Sequence, residues 1–220
     1  MILKRPVVIL FGAGATRGGL EEDSVPPPPV DTDFFDIAGQ LRGHGTQILA
    51  KKVLRDVWQL YRRVSGVSLE AYYRDIETRA AISRFAKSAN KPRDWKARQD
   101  NLEELIRRVL VHTTCDISKS PVKARRSKLH DVLLRKLRKG DTIITFNYDT
   151  TIEESFTSTD LWSPITGYGD GFHGGTLDWA RGWFNDRSAS EQKKSSIRLL
   201  KLHGSLNWKL YPNNQIRIQP

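Results

Sequence analysis

Val7-Val8-Ile9-Leu10-Phe11-Gly12-Ala13-Gly14-Ala15-Thr16 joins an apolar run to a glycine-rich turn. A continuous β-favouring apolar run closed by glycine is the pattern of a strand buried on both faces of a parallel sheet, so residues 7–11 are expected to form a central strand. Two later runs share its character, Asp141-Thr142-Ile143-Ile144-Thr145-Phe146 and Ile197-Arg198-Leu199-Leu200-Lys201-Leu202. Helical periodicity fills most of the space between the first and the second. Strand, helices, strand, segment, strand is an α/β layout.

The helices are read from apolar spacing. Leu49, Val53, Val57, Leu60 and Val64 place an amphipathic helix over 46–64, ended at Ser65-Gly66. Leu69, Tyr72, Tyr73, Ile76, Ala80 and Phe85 predict a second from Ser68 to about Lys87. Leu102, Leu105, Ile106, Val109 and Leu110 predict a third over 100–113, with Asp100 as its amino-terminal cap. Residues 90–96 are expected to be an exposed connection, and 128–138 a further helix stopped by Gly140. Glu21 to Pro29, acidic and then four prolines long, reads as an extended surface loop. The glycine-rich and aromatic stretch 167–175 also reads as loop.

Composition limits the classes of function. With 36 Lys and Arg against 25 Asp and Glu the 220-residue chain carries a net charge of +11, which suits an anionic partner without choosing among dinucleotide, nucleic acid and acidic protein. Cys115 is the single cysteine, so neither an internal disulfide nor a multi-cysteine zinc site can form, and a reducing, cytoplasmic home is expected. No export signal is evident, and no apolar run reaches the length of a membrane span, so no membrane partner is expected.

Chemistry-bearing residues sit at the end of each strand. Gly12-Ala13-Gly14-Ala15-Thr16 can turn tightly and bring amides to a phosphate, although Arg17 stands where a full dinucleotide fingerprint has its third glycine. Asn147, in Phe146-Asn147-Tyr148-Asp149, can orient a water or a ribose hydroxyl, although taken alone the segment reads first as a loop-opening Asn with Asp149 capping a helix over 150–156. His203, before Gly204 and Ser205, is the side chain suited to take a proton near neutral pH. His112, His130 and His173 read as bystanders. If the three strands lie side by side and parallel, these groups share the edge where such sheets bind ligands.

Together, Gly12 to Thr16, Phe146 to Asp149 and Lys201-Leu202-His203-Gly204-Ser205-Leu206-Asn207-Trp208 resemble, in order, the cofactor turn, the Asn-containing strand end and the catalytic-His turn of the sirtuin (silent information regulator) superfamily. The last is most similar to the bacterial sirtuin-like branch that destroys NAD in antiphage defence. The resemblance covers the two ends of the chain and says little about residues 40–130.

It implies one catalytic domain over 1–220, a Rossmann-like parallel sheet with helices on both faces and a helical insertion at about 46–138. NAD would be the substrate, with no metal. Its phosphates would lie against Gly12, Ala13, Gly14, Ala15 and Thr16, and its nicotinamide ribose would face Asn147 and His203, flanked by Asp149, Gly204 and Ser205. Asp33-Phe34-Phe35 is a looser counterpart of the family's nicotinamide loop and lacks its Arg.

The activity implied is NAD hydrolysis to nicotinamide and ADP-ribose, with His203 as general base. Two alternatives stand beside it. A protein deacylase would ordinarily carry a four-cysteine zinc module, which one cysteine does not supply. A catalytically silent module would bind a nucleotide, or would contact nucleic acid through the basic loop 119–128 or through a partner. An NAD-depleting enzyme also implies control, by a homo-oligomer, a regulatory sensor protein or a fused domain. Relatives continue with further strands past the His turn, so the chain is expected to be a fragment or to be completed by a partner.

Overall fold

The computed structural model describes residues 5–20, 26–85, 95–119, 122–157, 159–163, 166–168, 195–206, 208–210 and 216–218. The chain divides into two compact units, residues 1–22 with 114–220 and residues 23–113.

The first unit is a mixed α/β body around a small parallel sheet flanked by helices. Strands β1 (Val8–Phe11), β4 (Thr142–Thr145) and β5 (Arg198–Lys201) pair in the order β1-β4-β5. Phe11, Thr145 and Lys201 stand level across the sheet, since Phe11 pairs with Thr145 and Thr145 with Lys201. Asp141 fixes the entry to both β1 and β4: its carboxylate accepts from the Val7 and Arg138 amides at 2.8 and 2.7 Å.

Side chains alternate faces along a strand. On one face Phe11, Ile143 and Leu199 join Leu134, Ile152, Phe156, Trp162 and Tyr168 in a buried core. Leu134 belongs to α6 (Lys128–Leu134), and Ile152 and Phe156 to α7 (Thr151–Phe156). On the other face Val8 and Leu10 are 64% and 65% exposed, so the helical cover among the described residues lies on the Phe11 side. The expectation of a central strand at 7–11 is therefore corrected. The pattern of residues 7–11 resembles that of 142–145, but it is β4 that has neighbours on both edges and buries Ile143 completely, while β1 pairs only with β4 among the described residues.

Helix α1 (Ala13–Leu20) begins directly after Gly12, so residues 13–16 are its first turn and not a free loop. It lies close enough to α6 that a Cβ on Gly19 would run into Ser127 Oγ, the atom that caps α6 by accepting from the His130 amide. Helix α6 stops at Leu134, earlier than the expected 138, because the chain turns there and brings the Arg138 amide back to Asp141. The short strands β2 (Cys115–Asp116) and β3 (Lys123–Ala124) pair antiparallel, as do β6 (Trp208–Leu210) and β7 (Ile216–Ile218).

The second unit is helical: α2 (Phe34–Gln40), α3 (His44–Tyr61), α4 (Leu69–Phe85) and α5, which starts at Trp95 and ends at Thr114. Phe34, Phe35, Val53, Val57, Tyr72, Ile76, Leu102, Leu105 and Val109 form its core. Its extent, 23–113, differs from the expected insertion at 46–138, and α6 goes with the sheet. Asp100 does not cap α5. The helix starts earlier because Trp95 is buried, with the Arg98 guanidinium 4.9 Å from its ring centre, and Asp100 instead pairs with Lys96 one turn back at 2.7 Å. Pro28 and Pro29 are buried, contrary to the surface loop expected there, while 21–25, 86–94 and 169–194 lie outside the described residues.

The contrast between neighbouring glycines of α1 makes the packing testable. Gly19→Ala is expected to destabilise by roughly 1–3 kcal/mol through the clash with Ser127. Gly18→Ala, where a Cβ meets nothing, is expected to be neutral or to stabilise by up to about 1 kcal/mol through helix propensity. Urea unfolding monitored by circular dichroism separates the two, and equal midpoints would contradict the packing.

Candidate functional site

Parallel pairing sends the carboxyl ends of β1, β4 and β5 to one edge. Gly12 follows Phe11 by one residue, Asn147 follows Thr145 by two, and His203 follows Lys201 by two. The polar groups read at three strand ends are thus on one edge of one sheet.

Asn147 is the link between two of those ends. Its side-chain Nδ2 donates to the Gly12 carbonyl at 3.0 Å and to Thr16 Oγ1 at 2.9 Å. Only the NH₂ group can meet a carbonyl, so the amide's orientation follows from chemistry and leaves Oδ1 as its acceptor. Thr16 Oγ1 in turn donates to Asp149 Oδ2 at 2.9 Å, while Asp149 Oδ1 accepts from the Thr151 amide at 3.0 Å. Asp149 therefore serves the start of α7, as its capping reading anticipates, and also holds Thr16. Thr16, Asn147 and Asp149 are all buried. The network ties the first turn of α1 to the end of β4 across more than 130 positions of sequence.

Gly12 and Gly14 are exposed, and a Cβ at either would meet nothing within 4 Å. Neither has a positive φ. The fold itself places no steric demand for glycine at these two positions, unlike at Gly204, whose φ is +93°. That left-handed residue lets the chain turn back after β5, with the Leu206 amide donating to the Tyr148 carbonyl at 2.7 Å and Ser205 Oγ approaching the same oxygen at 3.3 Å. The His turn is thereby fastened to the end of β4.

His203 is exposed at this edge. Its ring meets Phe146 at 5.1 Å between centroids and lies 6.0 Å from Tyr148, both partly exposed. A ring held by aromatic neighbours and open to solvent can exchange protons with a bound molecule.

Beneath the edge lies a pair that the reading of motifs did not assign. Lys201 Nζ donates to Glu153 Oε1 at 2.8 Å and to the Asp149 carbonyl, and the Tyr168 hydroxyl donates to the same glutamate oxygen at 3.2 Å. The Lys201 and Glu153 side chains are 0% and 1% exposed. Burial pushes the Glu153 carboxyl up, and the Lys201 ammonium pulls it back. One signal of this pair was available in the sequence, a lysine inside an apolar strand run, since a buried lysine requires a partner. Which glutamate answers it was not readable. His130, a bystander by its sequence context, is also buried close to this edge, packed edge-on against Phe11 at 5.3 Å; burial pushes its imidazole down, which favours the neutral form.

Asp33 lies in the helical unit, where its Oδ1 accepts from the Val30 amide at 2.8 Å, and Phe34 is 1% exposed in that unit's core. The basic stretch 119–128 is largely occupied with its own unit. Lys119 pairs with Asp116 at 3.1 Å, Arg126 with Asp131 at 2.7 Å, and Arg125 Nε donates to the Cys115 carbonyl at 3.2 Å. Among the described residues no group of His, Cys, Asp and Glu is placed to hold a metal ion, and no helix is long and apolar enough to cross a membrane.

Glu154, next to Glu153 on α7, has its carboxyl pushed up from 4.5 to about 7, chiefly by burial, against the pull of Lys123, Arg126 and Lys119. Between those values the unfolded chain has released the proton that the folded chain still holds, so stability falls as pH rises from 4.5 toward 7. Glu154→Gln imitates the protonated form. It is expected to stabilise by roughly 1–3 kcal/mol at pH 8 and by little at pH 4.5. Thermal melts at the two pH values check this, and an equal shift at both would contradict it.

No family profile matches this sequence, and no curated protein matches it.

Proposed function

We propose that this edge is an NAD-cleaving site of the sirtuin-like kind, on a Rossmann-like sheet. The observation that carries the reading is the Asn147 amide bonded to both Gly12 and Thr16, because it makes the glycine turn and the end of β4 a single surface beside His203. Two further features support it. Exposed glycines that the fold does not require leave room for a pyrophosphate to approach the backbone at the start of α1, whose amino-terminal amides favour an anion. The Asn147 Oδ1 atom, left over from the internal bonds, is an acceptor for a ribose hydroxyl or a water.

The reaction is NAD plus water to nicotinamide, ADP-ribose and a proton. The bond from the ribose anomeric carbon to the nicotinamide nitrogen breaks, its electron pair leaves with nicotinamide, and water adds to the carbon through an oxocarbenium-like state. His203 takes the proton from that water, and Asn147 holds the ribose or the water in line. Gly204 and Ser205 shape the His turn, and Asp149 keeps Thr16 and Asn147 in place. In this reading the protein is an NAD-depleting effector of bacterial antiphage defence, held in check by an oligomer, a sensor or a fused domain.

Incubation with NAD is expected to release nicotinamide and ADP-ribose in equal amounts. His203→Ala is expected to lower turnover roughly 10²–10⁴-fold with an unchanged melting temperature, as the side chain is exposed. Asn147→Ala should lower both turnover and stability, since two internal hydrogen bonds go with it. Equal turnover in all three proteins would sink the assignment. Deacylation of an acyl-lysine peptide faster than NAD hydrolysis would transfer the site to the deacylase class.

A further inference from the structure

Helix α3 buries Thr46, Ala50, Val53 and Val57 in the helical unit and turns a different chemistry outward. Exposed Arg62 is the left-handed cap that ends the helix, and within it the exposed Ile48, Lys51, Lys52, Arg55 and Trp58 recur at intervals of three or four residues. At about 100° per residue they form one stripe, opposite the buried set. Asp56 is the only acidic residue within α3, and it sits off this stripe, 14% exposed and paired with Arg98 at 3.4 Å. None of the stripe's cations has a carboxylate partner among the described residues.

Neighbouring helices show that this is not how the unit treats its surface in general. The exposed positions of α4 mix Glu70 and Glu77 with Arg74 and Arg79, and those of α5 pair Lys96 with Asp100 and Arg107 with Glu104. Such alternation keeps a solvated face close to neutral. Of these three helices, α3 alone presents one sign along its outward stripe, and it adds a tryptophan, half exposed, with the Arg62 guanidinium 5.1 Å from its ring centre. An indole left in water costs free energy unless a partner covers it.

We infer that the outer face of α3 binds single-stranded nucleic acid, with Lys51, Lys52 and Arg55 on the phosphates and Trp58 as a platform for a base. Lys51 to Trp58 span ~10 Å at 1.5 Å per residue, enough for a short run of nucleotides. Flat aromatic faces among cations are how proteins hold unpaired bases, because stacking tolerates any base while the backbone supplies the charge. A duplex offers phosphates and hides its base faces, which would leave Trp58 unused. An anionic membrane fits less well, since a helix that lies in a lipid interface inserts its apolar face, and in α3 that face is the core of the unit. The basic stretch 119–128, the other candidate for phosphate contacts, has three of its cations engaged with its own unit.

The experiment uses the full chain, a fluorescent thymidine 20-mer and anisotropy over a range of salt. Wild-type protein is expected to bind it, and to bind a duplex of equal length more weakly. The triple variant Lys51→Gln, Lys52→Gln, Arg55→Gln is expected to lose at least about tenfold in affinity at low salt and to reduce the slope of log affinity against log salt by about 2. Trp58→Ala should lose roughly tenfold with an unchanged slope. Lys123→Gln, on β3, should bind as wild type. All these positions are partly or fully exposed, so far-ultraviolet circular dichroism is expected to match in every variant. Absence of binding, full affinity in the triple variant, or tighter binding to phosphatidylserine vesicles than to the oligonucleotide would each overturn the assignment.

Discussion

Lys201 carries its ammonium group into the covered side of the sheet, where Glu153 and the Asp149 carbonyl receive it. A charge with no access to water is tolerated only when its partners are fixed, because an unpaired ion in a low-dielectric interior costs several kcal/mol, on the order of the whole stability of a domain. The requirement acts on three elements at once. Strand β5 must stand level with β4, α7 must lie across their ends with Glu153 facing inward, and the turn from β4 to α7 must aim the Asp149 carbonyl at the lysine. Tyr168 completes the arrangement from the segment before β5.

With the Asp149 backbone fixed in this way, its carboxylate is available on the other side to hold Thr16 and the Thr151 amide, and Thr16 with Asn147 then sets the start of α1. The polar layer therefore runs from β5 through α7 and β4 to β1. Buried polar networks are favourable only when their members are satisfied, which penalises any shift of a strand that would break one bond and leave its partner dry. The same layer determines which polar atoms of the edge are engaged within the fold. Amide hydrogens of Asn147 and the hydroxyl of Thr16 are used internally, while the open glycines and the His203 ring are exposed at this edge.

The helical unit follows a different logic. Its stability rests on aromatic and aliphatic packing, with Phe34, Phe35 and Tyr72 meeting edge to face at 5.2 and 5.4 Å. Polar links such as the Tyr61 hydroxyl donating to Asp75 at 2.7 Å supplement that packing. Because the core does not depend on which charges lie outside, the solvent faces of its helices are free to differ, and that of α3 departs from its neighbours in sign and in its exposed tryptophan.

Periodicity alone located the main elements. Strands at 142–145 and 198–201 and helices near 44–61 and 69–85 were legible, since apolar spacing and breakers such as Ser65-Gly66 are local properties of the chain. Strand-end Gly12, Asn147 and His203 were legible as candidates for the same reason. What the local pattern did not contain was partnership. Residues 7–11 have the composition of a buried strand, yet only pairing shows that, among the described residues, β1 stands at one edge and β4 between two neighbours. Asp100 has the chemistry of a cap and becomes a mid-helix ion-pair partner because Trp95 starts the helix earlier. Lys201 announced by its type that it needed an anion. That the anion is Glu153, 48 residues away, is a fact of the folded chain, because contacts distant in sequence depend on the summed geometry of every element between them.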